Sequence, residues 1–435
     1  MSRCKLGDLI DVTRGTSLQG KNYSEEGELI RLTLGNFDSK GGFKENTAKK
    51  DIYYIGNVKK EFILQKGDMI TPLTEQTFGL LGSMARIPES NKYIQSQDIG
   101  LIKCKKEKIE DSFCYYLISS NLVRKQLSAA AQQTKIRHTS PDKIKDVIVD
   151  IPELDYQKKA GKILDYITYK IENNNKINEE LESMAKTIYD YWFLQFEFPN
   201  KEGKPYKSSG GKMVWNEELK REIPEGWEFG SLKNILSELE CGNRPKGGCN
   251  DSIKDGVPSI GAENIISIGK YDFSTEKYIS KDYYLSLKKG IVKSNDVLLY
   301  KDGAGVGKSS MAKNNFPYEE CAVNSHVFIL RTKENNLYQN YLYLTLQKEY
   351  IKKILIDLSM KAAQPGLNQP SVESVPIIIP STDIIVRFNN IIDILFNKIF
   401  LNSNANKELT SVRDFLLPLL INGQVGFREL ALAED

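Results

Sequence analysis

The chain has 435 residues, 40% of them hydrophobic and 27% charged, with a formal charge of +3. This is the balance of a globular protein, too long for one ordinary core and suited to two or three domains. No run approaches the ~18 apolar residues of a membrane span, and the opening MSRCKLGDLIDVTRG has no secretory apolar stretch, so a cytoplasmic protein is expected.

In chain order, a β-rich region comes first, with strand-like pieces at Leu29–Leu34, Asp68–Pro72 and Ile99–Lys103. It closes on DVIVDIP, an apolar strand stopped by Pro152. A long helix follows. Ala160, Leu164, Ile167, Ile171, Asn174, Asn178, Leu181, Ala185, Ile188 and Trp192 step alternately by four and three, the a/d seam of a coiled coil. Glu197–Glu228 is rich in Gly, Lys, Ser and Pro and reads as a connector, partly docked through Trp215 and Trp227. A second β-rich region includes Asp296–Tyr300 and His326–Arg331 and closes on SVPIIIP at Pro380. A second seam then reads Phe388, Ile392, Leu395, Ile399, Asn402, Asn406, Leu409, Arg413, Leu416 and Leu420.

The second half repeats the first. Shifted by 228 positions, Asn36 meets Asn264, Asp68 meets Asp296, Lys105 meets Lys333, Pro152 meets Pro380, and Asn174 and Asn178 meet Asn402 and Asn406. The expected fold is α+β: two β-rich domains, each followed by a long helix, the helices packing on each other as an antiparallel coiled coil in a pseudo-twofold repeat. Heptads of about 40 residues exceed what one domain ordinarily uses, although packing of each helix on its own domain, or a kink near Asn173–Asn175, is the simpler alternative. The expected boundaries are 1–152 for the first domain, 153–198 for its helix, 199–227 for the connector, 228–380 for the second domain, 381–425 for its helix and 426–435 for a tail.

The run YDYWFLQFEFPN into GKPYKSSGGKMVW and IPEGWEFGSL, the opening CKLGDLIDVTRG, the segments KGDMITPLTEQTFGLLGSMA and KSNDVLLYKDGAGVGKSSMA, and the close LLPLLINGQV together resemble the specificity subunits of Type I restriction-modification enzymes. The resemblance covers nearly the whole chain. It implies two target-recognition domains that each bind one half of a split, asymmetric double-stranded DNA target. It also implies two DNA-methyltransferase subunits docked on the helices, and ATP-dependent restriction subunits where the system has them. S-adenosylmethionine, and ATP with magnesium, would be bound by those partners and not by this chain.

Chemistry-bearing motifs are scarce. Cys4, Cys104, Cys114, Cys241, Cys249 and Cys321 form no CxxC pair, and with only His138 and His326 beside them neither a zinc site nor a disulfide framework is expected. Asp302–Ser309, DGAGVGKS, has aspartate where a phosphate loop needs its first glycine, and a carboxylate there repels phosphate. No Asn-Pro-Pro-aromatic motif of an amino-methyltransferase and no G-x-S-x-G elbow is present. The chain is therefore expected to be a non-catalytic reader. The alternative is a self-contained methyltransferase or nuclease with a duplicated DNA-binding domain.

Reading DNA takes cations for phosphates, and amides, Arg or Lys for base edges. The candidates in the first domain are Arg14, Lys21, Asn36, Gln76, Lys135, Arg137 and His138. In the second they are Arg244, Lys246, Asn264, Lys301, Lys308, Asn324, His326, Lys361, Gln364, Asn368 and Gln369. The runs QQTKIRH and KAAQPGLNQ stand at comparable places before the two closing strands. Each single residue also suits an ordinary solvated surface.

Overall fold

The computed structural model describes residues 1–38, 41–46, 50, 52–75, 79–131, 137–245, 253, 256–361 and 365–427. The chain divides into two compact units, 1–170 with 409–435, and 171–408. The division falls within the long helices, not at Pro152 or Pro380.

In the first unit, β1 (Ser2–Lys5) pairs antiparallel with β6 (Ile148–Ile151), so the domain's first and last strands close on each other. The main sheet runs β2 (Ile10–Arg14), β5 (Ile99–Cys104), β3 (Met69–Pro72), β4 (Ala85–Arg86), all antiparallel. β5 is central, and its apolar run IGLI is buried on both faces. Helices α1 (Asp111–Ser119) and α2 (Asn121–Ala130) separate the sheet from β6, α1 being capped by the Glu110 carboxylate on the Phe113 N–H at 2.7 Å.

The long helix α3 (Leu154–Tyr189) starts just after Pro152 and runs unbroken for 36 residues through Asn173–Asn175. Within this unit its seam residues Ala160 and Leu164 share one core with Leu6, Phe113 and Leu420. Arg86 and Asp165 join at 2.9 Å, and Tyr116 donates to the same carboxylate at 3.0 Å. The helix thus packs on its own domain as well as along its seam.

The second unit repeats this plan. β7 (Glu228–Ser231) pairs with β12 (Pro376–Ile379), and the sheet order β8 (Leu236–Cys241), β11 (Val327–Thr332), β9 (Val297–Tyr300), β10 (Ser309–Met311) matches that of the first unit. Helices α4 (Gln339–Leu346) and α5 (Glu349–Met360) start 228 positions after α1 and α2. The final helix α6 (Thr382–Ile421) spans 40 residues.

Within this unit the seam positions Ala185, Phe388, Ile392 and Ile399 lie in one apolar core with Trp192. Four asparagines bond across it. Asn174 Nδ2 donates to Asn406 Oδ1 at 2.8 Å, and Asn402 Nδ2 to Asn178 Oδ1 at 2.9 Å. The first long helix ends in a π turn, Asp190–Leu194, and Phe196 then takes a left-handed φ of 64°, which breaks it.

The connector is partly docked, through one of its two tryptophans. Trp227 is buried and stacks on Phe198, ring centroids 5.1 Å apart. Trp215 sits on the hairpin Met213–Asn216 with Arg221–Pro224 and is 54% exposed.

Candidate nucleic-acid interface

The repeat extends to single hydrogen bonds. Leu73 N–H donates to Asp98 C=O at 2.8 Å, and 228 positions on Lys301 N–H donates to His326 C=O at 3.1 Å. Thr139 N–H donates to Leu73 C=O at 2.8 Å, and Leu367 N–H to Lys301 C=O at 2.7 Å. In each unit, therefore, three segments meet: the end of the third sheet strand, the loop before the central strand, and the stretch after the helix pair. The runs singled out before the closing strands end at this junction. Gly15 and Gly242 pass beside it so closely that a Cβ would lie 2.3 Å from the carbonyls of Gln95 and Ser96, or 1.6 Å from that of Val323. Only glycine fits either crossing.

Several expected readers have partners within the frame. Asn36 and Asn264 are 2% and 1% exposed. The Asn36 Oδ1 accepts from Thr33 N–H at 2.9 Å and its Nδ2 donates to Lys44 C=O at 3.2 Å; Asn264 repeats this with Gly261 at 2.8 Å and Asp272 at 2.9 Å. Both amides hold the same turn, at the same place in the repeat. Asn324 is also buried and accepts from the His326 N–H at 2.8 Å. Arg137 pairs at 3.1 Å with Glu75, a buried carboxylate that also collects the N–H groups of Gly79, Leu80 and Leu81. A buried carboxylate needs such partners, so Arg137 builds its loop. Asn368 caps a short helix through the Ser371 N–H at 2.9 Å, and the Gln369 amide donates to Leu239 C=O. All six side chains thus have partners within the fold, and Asn368 and Gln369 remain exposed.

The remaining described candidates lie at or near the surface. Arg14, Lys21, His138, Arg244, Lys308 and Lys361 are exposed. Arg14 is anchored by its Nε on Gln97 C=O at 2.7 Å. Lys301 is half-buried, its ammonium 5.2 Å from the Phe328 ring centroid. His326 is held through Nδ1 by both oxygens of Asp302, at 2.7 and 2.8 Å. Gln76, Lys135, Lys246 and Gln364 lie outside the described residues.

DGAGVGKS forms a tight turn, Gly303–Gly305, between β9 and β10. A phosphate loop needs a helix N-terminus after its Gly-Lys-Ser; here Ser309 begins a strand. Lys308 instead lines a cleft of about 270 Å³ with Gln347 and two cations the sequence did not single out, Lys352 and Lys353.

A larger cleft, about 400 Å³, opens in the first unit among Tyr23, Arg31, Gly35, Asn46, Gln97 and Asp98. The Arg31 guanidinium stacks 3.8 Å from the Tyr23 ring centroid. In the second unit Glu263 stands where Gly35 stands in the first. Burial works against its carboxylate, but a hydrogen bond from Lys277 and the charges of Lys277 and His326 outweigh burial and hold it below the usual range. The same place in the two units thus carries different chemistry. The 228 offset, which sets Gly35 against Glu263 and Asp98 against His326, is the signal in the sequence that could have found this difference.

Among the described residues, no group of three or more His, Cys, Asp or Glu side chains is placed to hold a metal ion, and no helix is long and apolar enough to cross a membrane.

Two compact units of one sheet topology, each holding stretches of both long helices and a junction of loops, define a duplicated α+β protein of the specificity-subunit type. The Type I restriction modification DNA specificity domain matches twice, at residues 2–183 and 224–411, and the chain belongs to that family. Relatives include the Type I restriction enzyme MjaIX specificity subunit of Methanocaldococcus jannaschii, 27% identical over 75% of this chain and 71% of the relative. The HindI specificity subunit of Haemophilus influenzae is 24% identical over 77% and 82%. The crystal structure of the Type-I restriction-modification system S subunit from M. genitalium superposes with a TM-score of 0.59 at 15% identity, covering 97% of this chain and 96% of that one, which shows the shared fold.

Proposed function

We propose that this chain is the DNA-reading subunit of a Type I restriction-modification enzyme. Each unit reads one half of a split, asymmetric double-stranded target, and methyltransferase subunits supply the chemistry with S-adenosylmethionine. The observation that carries the reading is the repeated junction: one backbone frame, present twice, dressed with different side chains. Two copies of one reader with different contacts call for two different half-sites.

The long helices set the distance between the half-sites by packing as an antiparallel coiled coil. In support, the asparagine pairs run in opposite chain directions, Asn174 with Asn406 and Asn178 with Asn402. A polar pair at a seam position fixes register at some cost in stability. The methyltransferase subunits dock on the outer faces of these helices, where Tyr166 and Tyr169 are both 61% exposed in the first unit, and Ile394 and Leu401 are 69% and 62% exposed in the second. Restriction subunits driven by ATP join where the system encodes them, and the assembly works on DNA in the cytoplasm.

The test is to mix the purified chain with its methyltransferase subunits, S-adenosylmethionine and genomic DNA, and map the methylated bases. The expected result is methylation only in the mixture, at a bipartite sequence with unlike halves. Methylation by the chain alone, or by the mixture without sequence preference, overturns the reading.

A further inference from the structure

We infer that Asp98 and His326 are the equivalent specificity-determining residues of the two units, each reading one base of its own half-site. This rests on the proposed DNA reading and goes beyond it by separating frame from reader. Positions whose hydrogen bonds are the same in both units, such as Asn36 with Asn264, cannot distinguish two half-sites. The distinction must come from positions that share a backbone place but differ in side chain.

At the junction, residues 98 and 326 meet that condition most fully. Both carbonyls accept the equivalent N–H, from Leu73 and from Lys301. Both side chains are partly exposed, Asp98 on the wall of the first unit's cleft. Their chemistry differs, one being a carboxylate and the other an imidazole. An ionised aspartate only accepts hydrogen bonds and suits an exocyclic amine, cytosine N4 being the common partner. Histidine offers Nε2, because Nδ1 is engaged by Asp302 at 2.7 Å. That bond fixes the ring's orientation, so Asp302 is a positioning residue for His326. A flanking position follows the same rule: Gly35 lines the first unit's cleft, and 228 positions on stands Glu263.

The experiment uses the full complex in cells, with methylated sites mapped by long-read sequencing. Asp98→Asn keeps shape but adds a donor, and should relax one position of the first half-site only. His326→Gln should relax one position of the second half-site only, and Asp302→Ala should relax that same position. The expected loss of discrimination at that base is about 5- to 150-fold, the span of one good base contact. Asp98→Ser serves as a second variant should the amide perturb the loop. Unchanged maps from folded, active variants overturn the assignment while leaving the DNA reading intact. So does a variant that alters both half-sites, or one that abolishes methylation in an assembled complex, since loss of one base contact relaxes a site and does not erase it. A wild-type complex whose methylation does not depend on this chain would instead overturn the DNA reading itself.

Discussion

Asn402 Nδ2 donates to Asn178 Oδ1 at 2.9 Å, and the two residues are only 4% and 5% exposed. Asn178 in turn donates to Ser403 Oγ and to Ile399 C=O, both at 3.3 Å. Asn402→Leu therefore strands a buried acceptor and should cost about 1–3 kcal/mol. The double change Asn178→Leu with Asn402→Leu should cost less than the sum of the two single changes, because both polar partners leave together. Chemical denaturation of the four proteins gives the coupling. Additive losses would show that the pair does not act as a unit.

The helix pair should behave as a ruler. Four residues inserted beside Asn174 and four beside Asn402 add about 6 Å and about 40° of rotation, at 1.5 Å and 3.6 residues per turn. B-DNA advances about 3.4 Å and roughly 35° per base pair. The unread spacer of the target should lengthen by one or two base pairs with both half-sites unchanged. Methylation mapping checks this, and an active variant with the original spacer counts against the coiled-coil spacing.

One repeat position contrasts a partly exposed with a buried ion pair. Lys103 meets Asp68 at 2.8 Å with the lysine side chain 59% exposed, whereas Arg331 meets Asp296 at 2.6 Å with the arginine 8% and the aspartate 1% exposed. Arg331→Met leaves a buried carboxylate unpaired and should destabilise the second unit by about 3–5 kcal/mol. Lys103→Met should stay within about 1 kcal/mol of the parent. Thermal denaturation separates the two outcomes, and equal effects would deny burial its role.

Thiol chemistry should report the opening of each unit. Burial pushes the Cys321 thiol up to about 12. Fully buried Cys114 is raised as well, first by its hydrogen bond with Cys104 and then by burial. Both should resist alkylation at pH 8 while the partly exposed Cys241 reacts. The folded state holds these protons more tightly than the unfolded one. The stabilisation is complete below about pH 9 and is lost as pH rises from there toward the folded value, by up to about 1.4 kcal/mol per unit and thiol. Mass-resolved labelling from pH 7 to 10 follows this; prompt labelling of Cys321 at pH 8 would contradict it.

Much of the architecture was legible because it rests on periodicity. The a/d steps from Ala160 to Trp192 and from Phe388 to Leu420, and the stops at Pro152 and Pro380, are local properties of the chain and predicted the long helices. The 228-residue repeat predicted two units of one topology. Which repeated residues contact a ligand could not be read in the same way. Asn36 with Asn264 looked like paired readers because amides suit base edges and recur at the same offset. In the structure the same two asparagines build one turn in each unit. Arg137 looked like a free cation until Glu75, 62 positions away in sequence, supplied its counter-charge.

The sequence by itself determined the family, the duplication, the helix seams and the polar positions within them, since each depends on residue type and spacing along the chain. Only the tertiary structure decided which polar groups are spent. Each hydrogen bond engages a particular atom: a cap engages an amide's oxygen, and its N–H groups are placed by other contacts. Those contacts depend on partners brought together across the fold, as when Asp302 engages His326 or Leu73 joins Asp98 to Thr139. The division between frame and reader therefore appears only once the three segments of the junction meet.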